Sequence, residues 1–334
     1  MLLYSGETKA FAVITANETE QKVVRHFLKL LEDAGEVWTD AESCDYTNDV
    51  YLKQQRVKVK YEYTETDNVE CSYDFEVFTL STDKKQIIGI HVKCLQQAAE
   101  TKGGSRNTTR RLLKFADEQN WKLEIIFSVG CCMLSAVDKS SENARKMMGR
   151  VLLSNVYEAF LERGKVEGKG DKDEFIFHSQ FYEGAREWVS RLKEHVITEP
   201  SKQGDPKTFR KIPVEEVPRF LCGPVVVKSE DFGDNVRGNA RIVGIEMEGS
   251  GIASALKDWE EDGNSVPKFL LLKGVSDFGK KKGDDLKAMF FNEPTKEAVS
   301  DDVRQQIATF HCIALVVRGV AAHYLCTRRP PDGV

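Results

Sequence analysis

The stretch that most constrains this chain runs from Arg241 to Phe278, reading RIVGIEMEGSGIASAL, then a polar connection, then KFLLLKGVSDF. Both halves contain a continuous apolar run of strand length, the pattern of a strand covered on both faces. Each run ends on carboxylates: Glu246 and Glu248 follow the first, and Asp277 closes the second. In open α/β sheets, ligands bind beyond the carboxyl ends of the strands. Three acids gathered at two such ends read as a candidate reaction site.

The flanking chain supplies the rest of a sheet. Ala10–Ile14 is a short apolar run ending in Thr15-Ala16-Asn17. Asn17 suits a helix N-cap, and Glu20, three residues on, has capping-box spacing ahead of Val24, Phe27, Leu28 and Leu31. Val57, Val59, Tyr61 and Tyr63 alternate with polar residues, which predicts a half-exposed antiparallel strand. Tyr73–Leu80 and Gln86–Val92 read as further strands, and Gly103-Gly104-Ser105 opens a helix carrying Leu112, Leu113 and Phe115. Leu123–Val129 is a buried strand running into Gly130-Cys131-Cys132.

Residues 142–163 suit a helix by composition or, after Gly149, a strand. Gly164–Asp173 reads as a turn, and Tyr182, Ala185, Val189, Leu192 and Val196 as an amphipathic helix. Pro200–Pro218, with four prolines, reads as a surface loop. Leu221–Val227 is another strand, and a last helix begins near Asp302. Strands alternating with helices predict an α/β sheet with helices on both faces.

Composition narrows the function. A net charge of −5 argues against a general nucleic-acid or anionic-membrane binder. The eight cysteines form no C-x-x-C pair and several sit inside apolar runs, which suits the reduced thiols of a cytoplasmic protein. The N-terminal residues lack the charged region and long apolar core of a secretory signal. The apolar run Cys312–Val317 is too short to span a membrane.

At Glu246-Met247-Glu248 and Ser276-Asp277 the chain resembles the nucleoside phosphorylase and nucleosidase superfamily. The E-M-E segment followed about 30 positions later by strand–Ser–Asp is specific for that family. Weaker matches cover most of the chain. Thr15–Glu20 is similar to the family's first strand–helix turn, Ile125–Cys132 to its central glycine turn, and Gly223–Phe232 to a later strand segment, one residue shorter here. Gly149–Val156 is similar to a family strand, which assigns that stretch as β. The long polar insertions look most like nucleosidase domains of innate-immunity and anti-phage proteins, some of which cleave ATP.

Cleaving an N-ribosidic bond passes through a cation-like sugar and needs an acid for the leaving base, an anchor for the ribose and a nucleophile. The resemblance implies that Asp277 protonates the purine at N7 and that Glu248 grips the ribose hydroxyls. Met247 then packs under the sugar, Glu246 borders the purine pocket, Phe232 stacks on the base, and Gly130 and Ser276 line the site. Plainer roles stay open: helix capping for Asp277 and Glu20, a solvated helix start for Glu248, core packing for Met247 and Phe232.

Glu20 falls where the family's nucleosidases orient the attacking water. The phosphorylases place arginines for phosphate there and at the position of Ser128. A phosphate site that lost both guanidiniums and gained a carboxylate repels its own nucleophile, so water is favoured. One departure stands out: the family's small-residue run after the central strand is replaced by Gly130-Cys131-Cys132-Met133-Leu134. For a 5'-phosphorylated substrate, Arg106 at a helix start is the candidate anion ligand, with Arg110 and Arg111 nearby.

The expectations are a phosphorylase-like three-layer α/β fold with a mixed central sheet. One catalytic domain spans residues 1–326, with insertions near 35–72 and 197–219, and a tail follows at 327–334. The expected activity is hydrolysis of the N-glycosidic bond of a purine nucleotide or nucleoside, with ATP or dATP foremost and a defence role attached. The expected partners are that small molecule and further copies of the chain in a homo-oligomer, with no nucleic acid, membrane, metal or organic cofactor. The alternatives are a phosphate-dependent phosphorylase and a non-catalytic nucleotide-sensing module.

Overall fold

The computed structural model describes residues 8–34, 51–61, 71–96, 104–134, 149–154, 156–169, 172–193, 197–200, 209–212, 214–217, 219–223, 242–277, 291–292, 297–298 and 301–325. The first half holds β1 (Thr8–Thr15), α1 (Glu18–Ala34), β2 (Tyr51–Tyr61), β3 (Cys71–Ser81), β4 (Gln86–Lys93), α2 (Ser105–Glu118) and β5 (Trp121–Leu134). Next come β6 (Val151–Ser154), β7 (Val156–Lys169), β8 (Lys172–Glu183), α3 (Arg186–Lys193), β9 (Ile197–Pro200), β10 (Phe209–Ile212), β11 (Val214–Glu216) and β12 (Arg219–Cys222). The chain then adds β13 (Ile242–Glu246), α4 (Gly249–Glu261), β14 (Lys268–Asp277), β15 (Phe291–Asn292), β16 (Glu297–Ala298) and α5 (Asp301–Tyr324).

The main sheet runs β2-β3-β4-β1-β5 and then divides. Along most of its length β5 pairs in parallel with β14, while its last residues pair antiparallel with β13. From β13 the sheet continues through β12 to the β7–β8 hairpin, and from β14 through β6 to β11. Because β4, β1, β5 and β14 are mutually parallel, their carboxyl ends share one edge. That edge receives the starts of α1, α2 and α4.

Side-chain alternation splits the core in two. Phe11 and Val13 of β1, with Leu270 and Leu272 of β14, face a cluster filled by α1, α3 and α5. Ala10, Ala12 and Ile14, with Phe269, Leu271 and Val275, face the other side under α2 and α4. The three-layer mixed α/β architecture expected from the sequence is the one observed. Helix α5 is long and apolar enough to cross a membrane by length and composition alone, but Cys312–Val317 are buried in the first cluster. Gly274 lets this helix approach, since a Cβ there would lie 2.6 Å from both Ala308 Cβ and Ala308 O.

Three local expectations are corrected. Gly164–Asp173 is not one turn: β7 continues to Lys169 and β8 resumes at Lys172, because the two strands pair antiparallel along that length. The helix expected from Tyr182 begins at Arg186, since Tyr182 belongs to the ladder opposite Tyr157. The proline-rich Pro200–Pro218 segment contains β10, paired with β9, and β11, paired in parallel with β6. Strand pairing overrode local composition in all three cases. The stretch after Gly149 is strand, as the family resemblance implied.

Candidate active site

At the end of β1, Asn17 caps α1: its Oδ1 accepts a hydrogen bond from Glu20 N at 3.0 Å. The expected reciprocal contact is shifted. Glu20 Oε2 accepts from Ala16 N at 2.7 Å, and Oε1 reaches across to Cys131 N at 3.0 Å. Glu20 is 1% exposed. The carboxylate lies against Gly130, where an added Cβ would sit 2.3 Å from Glu20 Oε1. Glycine at 130 is therefore required by close approach.

The start of α4 holds a second buried cluster. Glu246 Oε2 accepts from Glu248 N at 3.0 Å, and Oε1 from Gly249 N at 2.9 Å, so this carboxylate satisfies free amides of the helix start. Lys273 of β14, fully buried, places Nζ 3.2 Å from Glu246 Oε2 and 3.0 Å from Glu248 Oε2. It lies on the same strand face as Leu271 and Val275, which directs it toward α4. Ser105 Oγ, at the first residue of α2, donates to the Glu248 carbonyl at 2.7 Å, joining two helix starts.

The electrostatics follow from one ammonium among several acids. Burial works against the charge on Lys273, but Glu248, Glu246 and Glu20 together hold its pKa well above 10.5. Burial drives Glu248 up to about 7; Lys273 opposes the rise, while Glu246 and Glu20 reinforce it. The two shifts agree physically. The lysine feels three carboxylates, whereas Glu248 feels one cation, two anions and the loss of water.

Thiols pack round the same edge. Burial raises Cys94 to about 12, with the Glu248 charge adding to it. Cys312 rises to about 12 for the same first reason and donates weakly to Gly130 O at 3.7 Å. Cys222, beside Glu246, is pushed well above 9.0 by burial. These three are protonated and poor nucleophiles at neutral pH.

The structure thus brings Glu20, Gly130, Glu246 and Glu248 to one edge, and Ser276 and Asp277 follow Lys273 along β14, the Asp277 side chain lying outside the described residues. Ser276 is an extra residue in the β5–β14 ladder: Val275 pairs with Cys132 and Asp277 with Met133, and Ser276 Oγ lies 3.4 Å from Cys132 O. Met247 sits between the two glutamates and is partly buried. Arg106 is placed elsewhere. Its guanidinium bonds both carboxylate oxygens of Asp258, at 3.0 and 3.2 Å, and Arg110 shares that partner at 2.6 Å. Asp258 lies more than two turns along α4 from Glu248, so this pairing ties α2 to α4. Phe232 lies outside the described residues. Among the described residues no group of three His, Cys, Asp or Glu side chains has metal-holding geometry.

Lys273 is the member of this cluster that sequence reasoning missed. Its signal was visible: a lone lysine inside the apolar run FLLLKGV, four residues before Asp277 and in a strand read as buried on both faces.

No family model matches the chain, and no curated protein matches it. Solved structures do. One is a Helicobacter pylori 5'-methylthioadenosine/S-adenosyl homocysteine nucleosidase, at 13% identity and a TM-score of 0.51, covering 94% of this chain and 99% of the other. A putative nucleosidase of the same description from Francisella philomiragia gives the same identity, TM-score and coverages. A mutant of the Helicobacter pylori enzyme with 5'-methylthioadenosine in the active site aligns at 13% identity and a TM-score of 0.50, over 94% of this chain and 98% of the other. These likenesses extend over nearly the whole of both chains and establish a shared fold.

Proposed function

We propose that this chain is a nucleosidase that hydrolyses the N-glycosidic bond of a purine nucleoside or nucleotide. The observation that carries the reading is Glu20. Its carboxylate is buried, each oxygen accepts one backbone amide, and each keeps lone-pair capacity for a water. It stands at the edge that also holds Glu248, in a fold shared with nucleosidases of 5'-methylthioadenosine.

In this reading Glu248, as a carboxylate, accepts hydrogen bonds from both ribose hydroxyls, and Lys273 favours that ionised form against burial. Asp277 delivers a proton to N7 as the C1'–N9 bond breaks, and the bonding electrons leave with the purine. Water held by Glu20 adds to C1' and gives its proton to the Glu20 carboxylate. Positioning the water and stabilising the cationic sugar are the main contributions. Met247 forms the floor under the sugar. Glu246 fixes the α4 start and Lys273 rather than touching the base.

The favoured base is adenine, and ATP is the sharpest form of the proposal. The Arg106–Asp258 pairing gives Arg106 a structural role instead of a phosphate-binding one. A catalytic unit spanning residues 1–326 and acting as a homo-oligomer completes the proposal.

The test is adenine release from ATP, adenosine and 5'-methylthioadenosine, with and without phosphate. Equal rates in both conditions support hydrolysis, and a strict requirement for phosphate refutes it. Asp277→Asn and Glu248→Gln should each lower kcat by at least about 100-fold while leaving the circular dichroism spectrum unchanged. Full activity in both variants removes the assignment.

A further inference from the structure

A buried polar chain runs beneath α1, on the sheet face opposite α4. His91 of β4 lies directly across from Glu76 of β3 in the antiparallel register, and both point to the α1 side with Phe78 and Ile87. His91 Nδ1 is 2.6 Å from Glu76 Oε2, and His91 Nε2 is 3.0 Å from Thr15 Oγ1 on β1. Arg25 of α1 donates from Nε to the other Glu76 oxygen. Thr15 and His91 are fully buried, and Glu76 is 5% exposed. Three strands and one helix are stitched together by Arg25, Glu76, His91 and Thr15.

Both ends of this chain are attached to one short segment. Thr15 closes β1, immediately before Ala16, whose amide holds Glu20. Arg25 lies on the helix that Glu20 begins. Glu20 sits between the two handles, and β3 and β4 supply the fixed frame. Burial works against ionising Glu76, but His91 and then Arg25 hold its pKa below the ordinary value, so the brace contains a genuine charge. Apolar residues would fill this space at less desolvation cost. Buried polar networks of this kind gain directionality, because each member has one acceptable geometry.

We infer that Glu76 and His91 are positioning residues for Glu20: braced on Thr15 and Arg25, they hold the segment 15–25 so that the Glu20 carboxylate stays seated on the Ala16 and Cys131 amides. The catalytic consequence rests on the nucleosidase reading; the mechanical one does not. Displacing a water-orienting carboxylate by about 1 Å costs on the order of 100-fold in rate. Base and sugar contacts, made from β13, β14 and α4, are untouched by the brace.

The experiment compares Glu76→Gln, His91→Gln and the milder Thr15→Val with the wild-type chain. In each variant, amide hydrogen exchange at Ala16 and Cys131 should quicken by at least about 10-fold, while Leu271 in the β14 ladder keeps its protection. Exchange unchanged at both amides overturns the inference. On a turned-over nucleoside, kcat should fall about 10- to 100-fold with KM within about twofold, and Thr15→Ser should restore it. Adding Glu76→Gln to a Glu20→Gln background should cause no further loss of rate, whereas multiplying losses mark general destabilisation and refute the positioning role. If Glu76→Gln fails to fold, Thr15→Val carries both arms, since it removes one hydroxyl and keeps the shape. If no purine substrate is cleaved by the wild type, the nucleosidase reading fails while the exchange result still decides the brace.

Discussion

The starts of α1 and α4 pose the same problem and solve it differently. Each follows a buried strand, and each holds carboxylates withdrawn from water. At α1, Glu20 is met by neutral donors, the amides of Ala16 and Cys131. At α4, Glu246 also accepts two amides, but it and Glu248 are met in addition by a full charge, the fully buried Lys273 ammonium. Backbone dipoles are rigid and cannot lose a proton, so the first arrangement orients a group without exchanging charge. A buried ammonium among several acids couples their ionisation, so the second arrangement is sensitive to proton and ligand. A carboxylate that must aim a water suits the first setting; one that must grip a sugar during charge separation suits the second.

The sharpest way to break this contrast is Lys273→Met, which keeps the aliphatic length and removes the charge. Two buried carboxylates then lose their cation, and removing one partner of a buried pair costs about 3–5 kcal/mol. A large drop in the urea midpoint is expected. Glu20→Gln, which keeps one of its two amide contacts through the single amide oxygen and loses no ion pair, should change the midpoint less. Equal losses in the two variants would erase the distinction between the sites.

pH sharpens the comparison next. Glu248 is raised from 4.5 to about 7, first by burial. The native chain therefore binds more protons than the unfolded chain between those values. Its contribution to stability is fully present below about pH 4.5 and is lost as pH rises through about 7. Lys273, held well above 10.5, does not titrate in that window. Activity should move the opposite way, rising through about pH 7 as Glu248 becomes an acceptor for the ribose. Urea titrations at a series of pH values check the first trend and kcat/KM profiles the second. Glu248→Gln should flatten the stability trend, whereas Glu20→Gln, which removes one of the charges that reinforce the shift, should only reduce it.

The smallest expected effect is Gly130→Ala. The new Cβ would fall 2.3 Å from Glu20 Oε1, so the carboxylate must leave its amides or the turn must shift. A cost of about 1–3 kcal/mol follows for overpacking of this size. Faster hydrogen exchange at Cys131, with the Lys273 cluster unaffected, would localise the damage to the α1 start. Exchange unchanged at that amide would show that Glu20 has room to spare.

Much of the frame was legible in the residue order. The apolar runs at 242–246 and 268–275 are strands, Asn17 is a cap, and Glu20, Gly130, Glu246 and Glu248 meet at one edge. What was not legible is how each carboxylate is employed. Glu246 and Glu248 stand two positions apart in one motif, yet the first spends its oxygens on helix amides and Lys273, while the carboxylate of the second meets Lys273. Arg106 had the spacing of an anion ligand, but Asp258 on another helix engages it.

The division has a physical cause. Periodicity, caps and turn glycines are short-range properties, decided by sterics and by hydrogen bonds a few residues long, so the sequence by itself determined the central strands, the starts of α1, α2 and α4, and the edge where the acids gather. The charge state of a buried group depends on what replaces water around it, and those partners arrive from far along the chain. Cys131 meets Glu20 across 111 positions, and Lys273 meets Glu248 across 25. Only the tertiary structure, through the order of strands in the sheet, decided which carboxylate faces an amide, which faces an ammonium, and which arginine is held by a structural partner.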